Sequence, residues 1–206
     1  MKEKQALLIF QKNADLGKVK TRLAATMGQE KALEVYKKLV GHCYQQLASL
    51  RHVDIFIFFT ERIEEVPKDI SHLNVNQMLQ TAGDLGQRML SAFEEVQNCG
   101  YHQMAIIGTD CPEISVEIIE STFSALSKND VVFGPALDGG YYLLGLKKVN
   151  PLLFNQMTWS TSTVLQDSLE RCQKAKLRTQ LLPELRDVDT EADWLYFAPL
   201  FDPKNE

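Results

Sequence analysis

The apolar positions of this chain fall into two alternating kinds of segment. Short unbroken runs at residues 6–10 (Ala-Leu-Leu-Ile-Phe), 54–60 (Asp-Ile-Phe-Ile-Phe-Phe-Thr), 105–107 (Ala-Ile-Ile), 131–133 (Val-Val-Phe) and 141–146 (Tyr-Tyr-Leu-Leu-Gly-Leu) predict strands, several of them buried on both faces. A weaker strand is expected at 73–79, after a charged connection carrying Pro67. Between these runs the spacing changes. From Gln29 to about Leu50, the residues Ala32, Val35, Tyr36, Leu39, Cys43 and Leu47 recur at helical intervals. A second helix follows Gly83 and stops near Asn98, Cys99 and Gly100. A third is capped by Ser115 with Glu117 in its first turn, and a fourth starts from the hydroxyl-rich stretch 159–163. The last runs from Glu191, where Thr190 and Asp193 form a capping-box variant. Strand–helix alternation over 206 residues predicts one α/β domain spanning 1–206 with a mostly parallel sheet.

Composition narrows the function classes. A net charge of −5 argues against a broad nucleic-acid surface, while leaving room for a local basic cluster that binds a nucleotide. Cys43, Cys99, Cys111 and Cys172 lack Cys-x-x-Cys spacing and read as reduced thiols, neither a zinc site nor a disulfide framework. The first apolar run has five residues, too few for a signal peptide core or a membrane span, so the expected location is the cytoplasm. His42, His52, His72 and His102 share no ligand spacing and receive no role. No Gly-x-Ser-x-Gly elbow points to a hydrolase triad.

Chemistry concentrates where strands end. In Gly108-Thr109-Asp110-Cys111-Pro112 a buried run stops at a carboxylate, and in open α/β sheets ligands sit outside the carboxyl ends of strands. Asp110 is therefore a candidate metal ligand, although Asp before Pro also simply opens turns. The loop Gly17-Lys18-Val19-Lys20-Thr21-Arg22 places three cations beside a glycine, as phosphate binding requires; it is not a Walker A loop, and a solvated basic turn is the plain alternative. In Gly83-Asp84-Leu85-Gly86-Gln87-Arg88 the glycines allow close backbone approach to a nucleoside and Asp84 could bond it; equally, Asp84 could cap a helix and pair with Arg88. Asp138, Asp187 and Asp189 are further carboxylates beside turns, from which Mg²⁺ would need only one or two.

These segments, with Gly134-Pro135-Ala136-Leu137-Asp138-Gly139-Gly140-Tyr141-Tyr142-Leu143, Trp159-Ser160-Thr161-Ser162-Thr163-Val164 and Asp187-Val188-Asp189-Thr190, together resemble a family of small bacterial transferases labelled selenodomain-associated transferase 1. That family is related to the nucleotide-diphospho-sugar transferases. The resemblance implies a single-domain Rossmann-like GT-A fold, a mostly parallel mixed sheet with helices on both faces. It further implies that Lys18, Lys20 and Arg22 contact a diphosphate and that Asp84 and Arg88 lie near the nucleoside. By the same resemblance Asp110 and Asp189 hold Mg²⁺ or Mn²⁺, and Asp138 and Trp159 face the acceptor. Ala14 stands where the family usually has proline, and Asp110 is a single acid without the Asp-x-Asp of many glycosyltransferases.

The expected activity is therefore a nucleotide-sugar-dependent glycosyltransferase, with a metal and the basic loop countering the departing nucleoside diphosphate and Asp138 as candidate base for a small-molecule acceptor. The alternatives are a nucleotidyltransferase, which would take an NTP and a phosphorylated small acid and release pyrophosphate, and a non-catalytic nucleotide-binding module. No nucleic acid or membrane partner is expected.

Overall fold

In a computed structural model that describes residues 4–201, seven strands form one sheet in the order β3-β2-β1-β4-β6-β5-β7. They are β1 (Gln5–Gln11), β2 (Val53–Phe59), β3 (Val75–Leu79), β4 (Gln103–Ile107), β5 (Val131–Pro135), β6 (Tyr141–Leu146) and β7 (Thr179–Leu181). The pairs β1–β2, β1–β4, β2–β3 and β5–β7 are parallel, whereas β6 runs antiparallel to both β4 and β5. The expected mixed, mostly parallel sheet is present, with β7 as a strand that its three exposed residues did not announce.

Helices cover both faces, which is why the central strands are apolar on both sides. Leu7 and Ile9 of β1, Ile55 and Ile57 of β2 and Ile107 of β4 pack on one side with Cys43, Tyr44 and Leu47 of α2 (Gln29–Leu47) and Phe123 of α4 (Val116–Leu126). Alternate residues Leu8, Phe56, Phe58 and Ile106 pack on the other with Met89, Phe93 and Val96 of α3 (Leu85–Asn98) and Cys172 of α5 (Val164–Lys174). Burial pushes the Cys43 thiol up to about 12 and the Cys172 thiol up to about 11, so neither is a thiolate at neutral pH.

A third apolar cluster holds the segment that carries the late acids. Leu23 of the short helix α1 (Thr21–Met27), Val35 and Leu39 of α2, and Trp194 and Phe197 of α6 (Glu191–Phe197) surround Val188, which is fully buried. Burying such a side chain contributes about 1.5–3 kcal/mol, which anchors the segment 187–189 against the body of the protein. The Val188 N–H donates to the Asp110 carbonyl at 2.9 Å, so the late acids are tied to the end of β4.

Candidate functional site

A cleft of about 580 Å³ opens at the carboxyl edge of the parallel strands. Its walls come from the ends of those strands and the residues that follow them: Phe10 near the end of β1 and Lys12 just after it, Thr60 after β2, Gln80 after β3 and Gly108 to Cys111 after β4. The antiparallel half reaches the same edge through the tight 136–140 turn between β5 and β6. There the Gly140 N–H donates to Asp138 Oδ1 at 2.9 Å, and the Gly139 backbone sits at φ 87° against the Ser162 carbonyl, where a side chain would collide. Asp138, Trp159, Ser160, Thr161, Ser162, Asp187 and Asp189 line that side.

The loop after β1 is held without a proline at Ala14. Asn13, 2% exposed, donates to the Arg62 carbonyl at 2.9 Å and to Glu64 Oε1 at 2.7 Å, while its own oxygen accepts from the Glu61 N–H at 2.9 Å. Tyr36 of α2 donates its hydroxyl to the Lys12 carbonyl at 2.8 Å. Burial, then the charge of Asp110, pushes the Tyr36 phenol above its ordinary range, so it remains a donor. Lys12 and Arg22 both line the cleft and its polar extension of about 310 Å³.

The three loop cations that the sequence grouped together separate in space. Lys18 turns away to Glu61 at 2.9 Å and lines neither space. Lys20 turns inward in a left-handed backbone conformation (φ 47°, ψ 48°), its side chain only 3% exposed. Its ammonium lies 2.8 Å from Asp110 Oδ1 and 3.5 Å from Asp189 Oδ1, and donates to the Val188 carbonyl at 2.5 Å. Arg22 is exposed and sits 3.2 Å from Asp189 Oδ2.

This geometry bears on the expected Mg²⁺ or Mn²⁺. A divalent ion bridging Asp110 and Asp189 would need the position that the Lys20 ammonium holds, and both oxygens of Asp189 are already paired with cations. Among the described residues no group of three or more acids, histidines or cysteines is arranged to hold a metal. The Asp110–Asp189 pair as built does not fit a bridging metal ion.

Asp187 carries the least compensated charge in the cleft. Burial raises its carboxyl to about 7, the charges of Asp110, Asp189 and Asp138 add to the rise, and Lys20 opposes it. Asp138 is exposed. At the other end, Asp84 caps α3 in a full capping box: its carboxylate accepts from the Gln87 N–H at 2.9 Å, and Gln87 accepts from the Asp84 N–H at 3.0 Å. Asp84 does not line the cleft; Arg88 does. Arg88 makes no ion pair with Asp84. It donates to Gln80 Oε1 at 2.9 Å, and Gln80 is itself locked by donating to the Phe58 carbonyl at 2.9 Å. Trp159 packs against Gly86, where any side chain would strike its indole, and its buried N–H has no partner among the described residues. It thereby joins the 159–163 loop to the start of α3.

Asp110, Asp138, Asp187 and Asp189, which the sequence marks as carboxylates beside strand ends and turns, all line the cleft, as do Tyr36, Thr60 and Gln80, for which it suggests no role. The signal available for Thr60 and Gln80 was position, since Thr60 ends one expected strand and Gln80 directly follows another. Tyr36 offered none, because it recurs at the spacing of core residues.

Residues 43–161 match the family described as an uncharacterized protein conserved in bacteria (DUF2064). The chain belongs to this family. A crystal structure of a proposed nucleotide-diphospho-sugar transferase from Desulfovibrio desulfuricans G20 superposes with a TM-score of 0.85 at 31% identity, over 99% of this chain and 90% of that one. The same fold is found at a TM-score of 0.64 and 12% identity in 4-diphosphocytidyl-2C-methyl-D-erythritol synthase from Anaerococcus prevotii DSM 20548, over 97% of both chains. It recurs at a TM-score of 0.56 and 12% identity in the inositol-1-phosphate CTP transferase of T. maritima, over 92% of this chain and 91% of that one. Among curated proteins no match was found. No helix of the described residues is long and apolar enough to cross a membrane.

Proposed function

We propose that this protein transfers a sugar from a nucleoside diphosphate donor to a hydroxyl of a small acceptor. The observation that carries the reading is the origin of the charges in the cleft. Its three accessible cations, Lys12, Arg22 and Arg88, all come from segments that follow β1 and β3. The residues supplied after β5 bring carboxylates, hydroxyls and aromatic rings, and no cation. In glycosyl transfer, negative charge grows on the departing nucleoside diphosphate, and fixed cations at that end lower the barrier because they act most strongly in the transition state. Lys12 and Arg22, which both line the cleft, take this role in the proposed reaction. Lys20 does not, because its ammonium is already committed to three oxygens.

The nucleoside fits the apolar slot of Phe10, Leu85 and Met89, beside the Gln80–Arg88 pair. Arg88 offers its remaining N–H groups to a base edge rich in acceptors. At the opposite end, a hydroxyl acceptor must lose a proton. Asp187, held near 7, is better poised to take it than the exposed Asp138, which is left to orient the acceptor. The same lining disfavours nucleotidyl transfer to a phosphorylated acid, since such an acceptor would approach Asp138 and Asp187 with no cation from that half to receive it. The similarity to the Desulfovibrio protein and the six ordered motifs resembling selenodomain-associated transferase 1 support the same reading.

Calorimetry against UDP, GDP, CDP and ADP sugars tests it. Binding of at least one donor, followed by release of its nucleoside diphosphate when an acceptor is supplied, is the expected outcome. Failure to bind any of them would overturn the reading, and pyrophosphate release from an NTP would replace it with nucleotidyl transfer.

A further inference from the structure

The Lys20 ammonium is a buried cation with a complete set of partners. An ammonium has three N–H donors, and the three oxygens of Asp110, Asp189 and Val188 lie at 2.8, 3.5 and 2.5 Å. Its backbone adopts the left-handed conformation (φ 47°, ψ 48°) that non-glycine residues rarely take, immediately before α1 begins. Leu23, one turn later, is fully buried against the cluster that also holds Val188. The chain thus accepts a strained backbone to drive a charged side chain inward, between two acids 79 residues apart, Asp110 past the end of β4 and Asp189 just before α6. Arg22 closes the outer oxygen of Asp189 at 3.2 Å.

We infer that Lys20 is the resident cation of this site: a positioning residue that fills the place between Asp110 and Asp189 where a divalent ion would otherwise bridge them. Two consequences follow from the charges. The free protein holds no tight divalent ion on this acid pair, because an incoming ion would meet the ammonium and the Arg22 guanidinium at close range. Removing the ammonium while keeping both acids creates a divalent-cation site, because two carboxylates are then left facing each other with only Arg22 at the rim. Lys20 also acts as a tie. It holds the 187–189 segment to the end of β4 in parallel with the Val188 to Asp110 backbone bond, so the spacing of the cleft's acids is set before any ligand arrives. This inference does not rest on the transferase reading, since its test contains no nucleotide.

The test is Mn²⁺ titration of the nucleotide-free protein, followed by the electron paramagnetic resonance signal of free Mn²⁺. The wild type is expected to show weak binding, and Lys20→Met to bind Mn²⁺ at least about tenfold more tightly, as expected when a unit charge is removed a few ångström from the ion. Lys20→Arg, which keeps the charge, is expected to restore weak binding. Melting temperature shows which variants are folded. If Lys20→Met does not fold, Asp189→Asn in the otherwise unaltered protein decides: its Mn²⁺ affinity should stay within about threefold of wild type, because an acid already paired with Lys20 and Arg22 contributes little to an ion. Unchanged or weaker Mn²⁺ binding by folded Lys20→Met, or a tenfold loss in Asp189→Asn, would overturn the inference.

Discussion

The two halves of the sheet build the cleft in different ways. In the parallel half, β1, β2, β3 and β4 each end at the same edge, and the residue just past each end lines the cleft: Lys12, Thr60, Gln80 and Gly108. In the mixed half the same edge is reached by a reversal. β6 runs backwards, the 136–140 turn brings Asp138 to the rim, and the 185–189 segment arrives by pairing Leu185 with Ala136. Parallel geometry places functional groups by strand length alone, whereas the mixed half depends on turns and on distant contacts. On the proposed function, the parallel half should hold the nucleotide and tolerate damage to the other half, where the acceptor is expected.

The largest effect is expected from Gly139→Val. The branched side chain would run into the Ser162 backbone at a position whose φ is 87°, costing roughly 3 kcal/mol or more in a thermal or urea unfolding measurement. If the halves are as separable as described, the fraction that remains folded keeps its nucleotide affinity while transfer is lost. Next comes the double variant Lys12→Ala, Arg22→Ala. Loss of two charge-assisted contacts to phosphate should weaken a nucleoside diphosphate sugar on the order of 100-fold by calorimetry, with the fold intact.

A smaller and opposite effect on stability is expected from Asp187→Asn. The Asp187 carboxyl is raised in the folded protein to about 7, above the roughly 3.9 of an unfolded Asp. Between those values the folded state holds a proton that the unfolded state has released, so the parent loses stability as pH rises from about 4 through 7. Asp187→Asn removes that dependence. It should melt higher than the parent at pH 8, by roughly 1–2 kcal/mol, with the gain shrinking toward pH 5, while transfer activity falls. A gain that is the same at both pH values would separate Asp187 from the charge it is argued to carry. The smallest effect belongs to Lys18→Ala. Its solvent-exposed pair with Glu61 should leave the melting temperature essentially unchanged, and nucleotide affinity should stay within about twofold. A larger loss would return Lys18 to the phosphate site.

The same contrast explains what could be read from the chain. The doubly apolar runs of β1, β2 and β4 and the long periodicity of α2 announce themselves, because burial on two faces and a pattern sustained over about five turns leave compositional marks. β7 and α1 left none: one has three exposed residues, the other seven residues of which only Leu23 is buried. In the cleft, Asp110 was legible as a strand-end acid. The fates of Lys18 and Lys20 were not, because two lysines in one polar loop look alike until a left-handed backbone turns one of them inward. Arg88 illustrates the opposite failure. Spacing of four residues suggested a pair with Asp84, but the capping box occupies Asp84, and Gln80 from the end of β3 takes Arg88 instead. The environment of Asp187 is wholly tertiary, created by the bridge between Leu185 and Ala136 and by the buried Val188 beside it.

The central claim, that the parallel half receives the nucleotide, is tested most directly by backbone hydrogen exchange with and without the tightest-binding nucleoside diphosphate sugar. The account predicts slowed exchange confined to residues 12–22, 80–88 and 108–111, with the 136–140 turn unchanged until an acceptor is added. Protection centred on 136–140 and α5, with the loop after β1 unaffected, would contradict it.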